Sequence, residues 1–136
     1  MITATQLAAL REAATTAMQR AHAPYSYFRV GAALLTADGV IIAGCNVENA
    51  SYPAGSCAER GAIAAAVAGG HRDFVQCVIV TEVGDPAPPC GICRQALVEF
   101  APAIAITSYT TSGAEASWSL ADLLPHPFTP QSLRYI

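Results

Sequence analysis

Four residues of this chain have the types and spacing to do chemistry together: Cys57, Glu59, Cys90 and Cys93. Cys90-Gly91-Ile92-Cys93 sets two thiols three positions apart at a predicted helix start, where residues i and i+3 share a face and both reach one ion. Cys57 opens a second predicted helix. Unpaired backbone N–H groups and the positive end of the macrodipole lower a thiol's pKa at such positions, which favours the thiolate that zinc binds. Five cysteines is an odd number, and thiols of a cytoplasmic chain stay reduced, so the pattern points to metal binding or catalysis rather than to a disulfide framework.

Three thiolates on one ion leave a fourth position for water, which is the mark of catalytic zinc. A fourth protein ligand drawn from Cys45, Cys77, His22, His71 or His126 would instead make the site structural. Cys45 and Cys77 stand in or at the end of apolar runs and read as small core hydrophobes. Glu59 is the acid beside a ligand and hence the candidate proton shuttle. Spacing alone does not place its carboxylate at the ion, because positions i and i+2 of a helix do not share a face.

These residues must be positioned by the elements around them. Leu7, Leu10, Ala14, Met18 and Ala21 recur at helical spacing, so a first helix is expected from about Thr5 to His22, capped by Thr3 or Thr5 and ended by Pro24. Val30 to Thr36 and Val40 to Cys45 flank Asp38-Gly39, a pair that favours the positive φ of a tight hairpin turn. Cys57 to Ala68 is alanine-rich and closes on Gly69-Gly70, the composition of a helix with a glycine stop. Gln76 to Thr81 reads as a strand, Asp85 to Pro89 as a loop, Gly91 to Phe100 as a helix and Ala103 to Tyr109 as a strand. Thr110 to Ser119 is polar and signals weakly, while Leu120 to Leu124 suits a short helix before Pro125. Alternation of strand and helix predicts a mixed sheet of about five strands in a three-layer α-β-α sandwich, with the helices covering parallel strands.

The 136 residues, 53% of them apolar, suit a single domain over 1–136 with a real core. No run approaches the length of a membrane span, and a soluble, cytoplasmic chain is expected. Seven arginines stand against 10 acidic residues without clustering, for a net charge of −3, which argues against a nucleic-acid partner.

Cys57-Ala58-Glu59-Arg60 followed by Pro89-Cys90-Gly91-Ile92-Cys93-Arg94-Gln95 resembles the zinc nucleoside and nucleobase deaminases. Pro24-Tyr25-Ser26-Tyr27-Phe28 with Val30-Gly31-Ala32-Ala33, Asn46-Val47-Glu48-Asn49-Ala50-Ser51-Tyr52, and Leu123-Leu124-Pro125 with Phe128 extend the likeness to the cytidine deaminases. The resemblance implies zinc-dependent hydrolytic deamination of cytidine and deoxycytidine to uridine and deoxyuridine, in pyrimidine salvage. It implies one Zn2+ per chain on Cys57, Cys90 and Cys93, with Glu59 moving the protons. It further implies that Asn46 and Glu48 hold the ribose 3′-hydroxyl, Phe28 packs on the base, and the Ala58 backbone reads the pyrimidine edge. Arg60 would hydrogen-bond ligand sulfur, offsetting the negative charge of three thiolates on a divalent ion. The short enzymes of this kind form homotetramers with shared sites, and Ala50, Tyr52 and Phe128 match the shared positions.

Deaminases of polynucleotides or deoxycytidylate usually carry His-x-Glu where this chain has Cys57-Ala58-Glu59, which favours a free nucleoside. Blasticidin-S-type deaminases share three cysteines but depart from the Asn46-to-Asn49 motif. A non-catalytic, zinc-stabilised assembly protein would show a broken shuttle or a fourth protein ligand.

Overall fold

In a computed structural model of the chain, which describes residues 2–82 and 84–134, Thr3 caps the first helix, α1 (Ala4–Gln19). Its hydroxyl accepts from the Gln6 N–H and the Gln6 side chain accepts from the Thr3 N–H, a reciprocal capping box. The helix stops at Gln19 rather than at the expected His22. The backbone of His22 is drawn into extended pairing with the Asn46–Glu48 segment: its N–H donates to Asn46 at 3.0 Å, and its carbonyl accepts from Glu48 at 2.8 Å. Sheet-like pairing over long sequence distance therefore ends the helix before Pro24 is reached.

The hairpin forms as the Asp-Gly turn predicts, joining β1 (Val30–Thr36) to β2 (Ile41–Cys45), with Gly39 at φ 90°. A single-turn 3-10 helix (Tyr52–Ala54) precedes α2 (Ala58–Ala68), β3 (Phe74–Thr81), α3 (Gly91–Val98) and β4 (Ala105–Thr110). The polar stretch after β4 folds back as β5 (Glu115–Ser119), followed by the short helices α4 (Leu120–Leu123) and α5 (Pro130–Leu133). The sheet order is β2-β1-β3-β4-β5, with β3 and β4 parallel and all other neighbours antiparallel. This is the mixed five-stranded sheet that the sequence suggested.

Alternation along the central strands sends side chains to two separate cores. Leu35, Val78, Val80 and Tyr109 meet Leu10, Ala14 and Met18 of α1 on one face. On the other, Leu34, Cys77, Ile79 and Ile106 meet Ala62, Ile63 and Ala66 of α2 and Leu97 of α3. Cys77 is core, as expected, whereas Cys45 is only half-buried because β2 is an edge strand. Two glycines set how closely the layers approach. A Cβ on Gly31 would lie 1.8 Å from the Ala14 carbonyl oxygen of α1, and one on Gly44 would lie 2.4 Å from the Ala62 nitrogen of α2. Their absence of side chains lets both helices lie against the sheet at the end where the candidate site is built.

Candidate active site

Cys57 and Cys90 are the N-caps of α2 and α3, both in extended backbone conformation and neither making a side-chain capping bond. Cys93 follows one turn into α3. The three sulfurs lie within 4.8 Å of one another, and those of Cys57 and Cys90 are 3.7 Å apart. Thiolates on a tetrahedral zinc with Zn–S bonds of about 2.3 Å stand ~3.8 Å apart, so the donor set fits that ion. Among the described residues, Cys45, Cys77 and the histidines stay outside this cluster, which leaves three protein ligands rather than four.

The thiols do not show the uniform lowering that two helix N-termini suggested. Burial pushes Cys93 and Cys57 up; the Glu59 charge and the other two thiols add to it at Cys93, whereas at Cys57 the bonds from Arg60 and Cys93 oppose it and Cys90 adds to it. At Cys90 burial acts in the same sense but is outweighed, chiefly by the Cys93 backbone amide and the bonds to Cys93 and Cys57, and the thiol falls below its ordinary value. Three sulfurs crowded in a desolvated corner resist sharing negative charge, and a divalent cation reverses that balance. Arg60 Nη2 donates to Cys57 Sγ at 3.9 Å, and this bond raises the arginine's own pKa.

The objection that i and i+2 cannot share a helix face disappears once Cys57 is seen as a cap. Its side chain leaves from extended backbone, so Glu59, in the first turn, reaches the same pocket. That pocket holds about 190 Å3 and is lined by Phe28, Val30, Asn46, Ala58, Glu59, Ile79, Pro88 and Cys90, among others. Glu59 is 5% exposed, and its burial raises its pKa against the pull of its backbone amide, Cys93 and Arg60. A carboxyl so placed sits closer to neutral than a surface one, as a group that must both accept and give a proton needs.

The pocket opens into a wider cleft of about 500 Å3, which shares Asn46 and Cys57 with it and adds Tyr25, Ser26, Glu48, Tyr52 and Arg60. Asn46 accepts from the Val30 N–H at 2.8 Å and donates to the Phe28 carbonyl at 2.7 Å, so it ties the Phe28 loop to the sheet. One amide proton and acceptor capacity remain for a ligand. Glu48 accepts from the N–H groups of Tyr25 and Ser26 at 3.0 and 3.1 Å and from the Ser26 hydroxyl. Ala50 and Tyr52 lie exposed in the segment running along the cleft.

Sequence reasoning missed what fixes the tail. Arg94 donates from Nε to the Pro89 carbonyl at 2.8 Å and from Nη1 to the Leu123 carbonyl at 3.1 Å, and Gln95 donates to the Phe128 carbonyl at 2.7 Å. The tail is thus strapped to α3 through backbone carbonyls while the Phe128 ring stays 57% exposed. The available signal was Arg94-Gln95 directly after the Cys-x-x-Cys element, one turn from Pro89.

A model of the cytidine and deoxycytidylate deaminase zinc-binding region matches residues 4–109. The chain belongs to this family. Cytidine deaminase of Halalkalibacterium halodurans is 42% identical over 121 residues, 88% of this chain and 92% of that one. The cytidine deaminase of Sporosarcina psychrophila is also 42% identical over 121 residues, 88% of each chain. The crystal structure of cytidine deaminase from Burkholderia pseudomallei matches with a TM-score of 0.86 at 45% identity, over 93% of this chain and all of that one.

Proposed function

We propose that the chain deaminates cytidine and deoxycytidine by hydrolysis, giving uridine and deoxyuridine with release of ammonia. The observation that carries this reading is a cluster of three thiols beside one buried carboxyl, at a small pocket that Cys57, Glu59 and Cys90 line and that shares Asn46 and Cys57 with a wider cleft. Cys57, Cys90 and Cys93 hold one Zn2+. The ion supplies a Lewis-acid charge that makes a water molecule acidic enough to become the nucleophile near neutral pH.

The remaining work falls to side chains. Glu59 takes a proton from the attacking water and delivers it to the pyrimidine N3, where it stays in the product. Oxygen bonds to C4, the C4–N bond breaks, and Glu59 passes the second water proton to the departing amine, so that ammonia leaves. Burial of Glu59 supports this double role, since its two protonation states lie closer in energy than those of an exposed carboxyl. Phe28 packs against the base and the Ala58 backbone reads its edge, both being pocket-lining residues. Asn46 and Glu48 hold the 3′-hydroxyl, and Arg60 offsets the charge of the thiolates through Cys57.

The protein works as a homotetramer in which Ala50, Tyr52 and Phe128 complete a neighbouring site. Tyr25, Tyr27, Tyr52 and Phe128 stand exposed near the cleft or on the tail, and Tyr25 and Tyr52 pack edge to face there, which suits a surface that a second copy covers. No helix among the described residues is long and apolar enough to cross a membrane, in keeping with a cytoplasmic enzyme of pyrimidine salvage.

The test is zinc content together with conversion of both nucleosides, with Glu59→Ala as control. One zinc per chain and turnover that falls about 100-fold or more in the variant are expected. Bound zinc without conversion of either nucleoside would end this reading.

A further inference from the structure

The loop from Pro24 to Phe28 holds the base-side and sugar-side residues of the cleft together, and Ser26 is its hub. Glu48 Oε1 accepts from the backbone N–H groups of Tyr25 and Ser26, and Oε2 accepts from the Ser26 hydroxyl. The same hydroxyl oxygen accepts from the Phe28 N–H at 3.0 Å. A serine hydroxyl offers one proton and two lone pairs, so Ser26 gives to Glu48 and takes from Phe28 at once.

The turn that allows this is an uncommon one. Between Ser26 and Phe28, Tyr27 adopts φ 57°, in the left-handed region that residues with a side chain rarely enter. Its ring is 83% exposed, so packing does not hold it there. The bonds on either side do: Tyr27 donates to the Ala23 carbonyl at 3.0 Å, and the Ser26 hydroxyl pins the residues before and after. A strained turn kept by hydrogen bonds at a binding cleft points to a function for the geometry it enforces. The Ser26 hydroxyl also leads the causes that hold the Glu48 carboxyl below the ordinary value, which keeps it an acceptor.

We infer that Ser26 is a positioning residue for nucleoside recognition, whose hydroxyl sets the spacing between the Glu48 carboxylate and Phe28 and so selects ligands that carry sugar and base together. The inference rests on the cytidine reading above. Ser26 acts through its neighbours, and Asn46 secures the other end of the same loop through the Phe28 carbonyl.

Two readouts separate the inference from the reading beneath it: steady-state turnover of cytidine, and binding of uridine measured by calorimetry. Ser26→Ala is expected to raise KM for cytidine and Kd for uridine by about 10-fold, the loss of one charge-assisted hydrogen bond. Its kcat should stay within about twofold, with zinc content and Tm unchanged, and Ser26→Thr should restore binding by keeping the hydroxyl. In a Glu48→Gln background the same Ser26→Ala change should add less than about threefold, because its route of action is already cut. Unchanged KM and Kd, an equal effect in both backgrounds, or a fall in kcat with binding intact would overturn the inference. A wild-type protein that binds uridine, with the loss in Ser26→Ala, but converts no cytidine would keep Ser26 in its role and remove the reaction; one that binds no uridine would remove both.

Discussion

The two ends of the cleft are built on opposite principles. At the thiol end every functional atom hangs from the first turn of a helix that is itself pressed on the sheet, and Glu59 and Cys93 are buried. At the sugar end the functional atoms hang from loops, stand half-exposed, and are held by side chains bonded to backbone. Rigid elements fix positions more tightly than loops, which suits a reacting centre where misplacement is costly. Loops held by a handful of hydrogen bonds suit a surface that must admit and release a ligand. The contrast implies that damage at the first end is read in metal content and kcat, and damage at the second in KM.

Cys93→Ala should have the largest effect, with zinc lost and turnover undetectable; metal analysis of the purified variant checks it, and retained zinc with activity would break the contrast. Glu48→Gln should lower kcat/KM for cytidine by roughly 10- to 100-fold, through KM, with zinc intact. A drop confined to kcat would instead merge the two ends. Gly44→Ala pushes a methyl group into the backbone of α2 at Ala58, Gly61 and Ala62 and should cost about 1–3 kcal/mol of stability, seen as a lower Tm with kcat falling and KM little changed. The smallest effect is expected far from both ends. Asp38, in the hairpin turn, is held below its ordinary pKa by the Thr36 hydroxyl, so its contribution is complete above the unfolded value near 3.9 and fades as pH falls through the folded one. Asp38→Asn should lower the urea midpoint slightly at pH 6, the gap from wild type should close toward pH 3, and kcat and KM should not move.

The same contrast governs what the sequence made legible. Cys-x-x-Cys, the alanine-rich run after Cys57 and the Asp-Gly turn are local signals, and the structure has α2, α3 and the hairpin there, although α3 ends at Val98 rather than at the expected Phe100. The placement of Glu59 was hidden because it depends on Cys57 being a cap and not a helical residue. β5 escaped because an edge strand with polar residues at Glu115, Ser117 and Ser119 is specified by pairing with β4 rather than by its own composition. The end of α1 was misplaced for a similar reason, as the pairing of His22 with the segment after β2 is invisible until the chain is folded. Ser26 stood inside a matched block without a role, since hydrogen bonds that span more than 20 positions leave no local pattern.

Putting cysteine at two N-caps has a further consequence for the helix starts. Serine, threonine or aspartate at those positions would tie up free N–H groups with their own oxygens, whereas cysteine offers only a weakly accepting sulfur there. A metal held by both sulfurs would join the starts of two core-covering helices and anchor them to each other. Stripping the metal from such a site is expected to loosen both helix starts together, seen as faster limited proteolysis there.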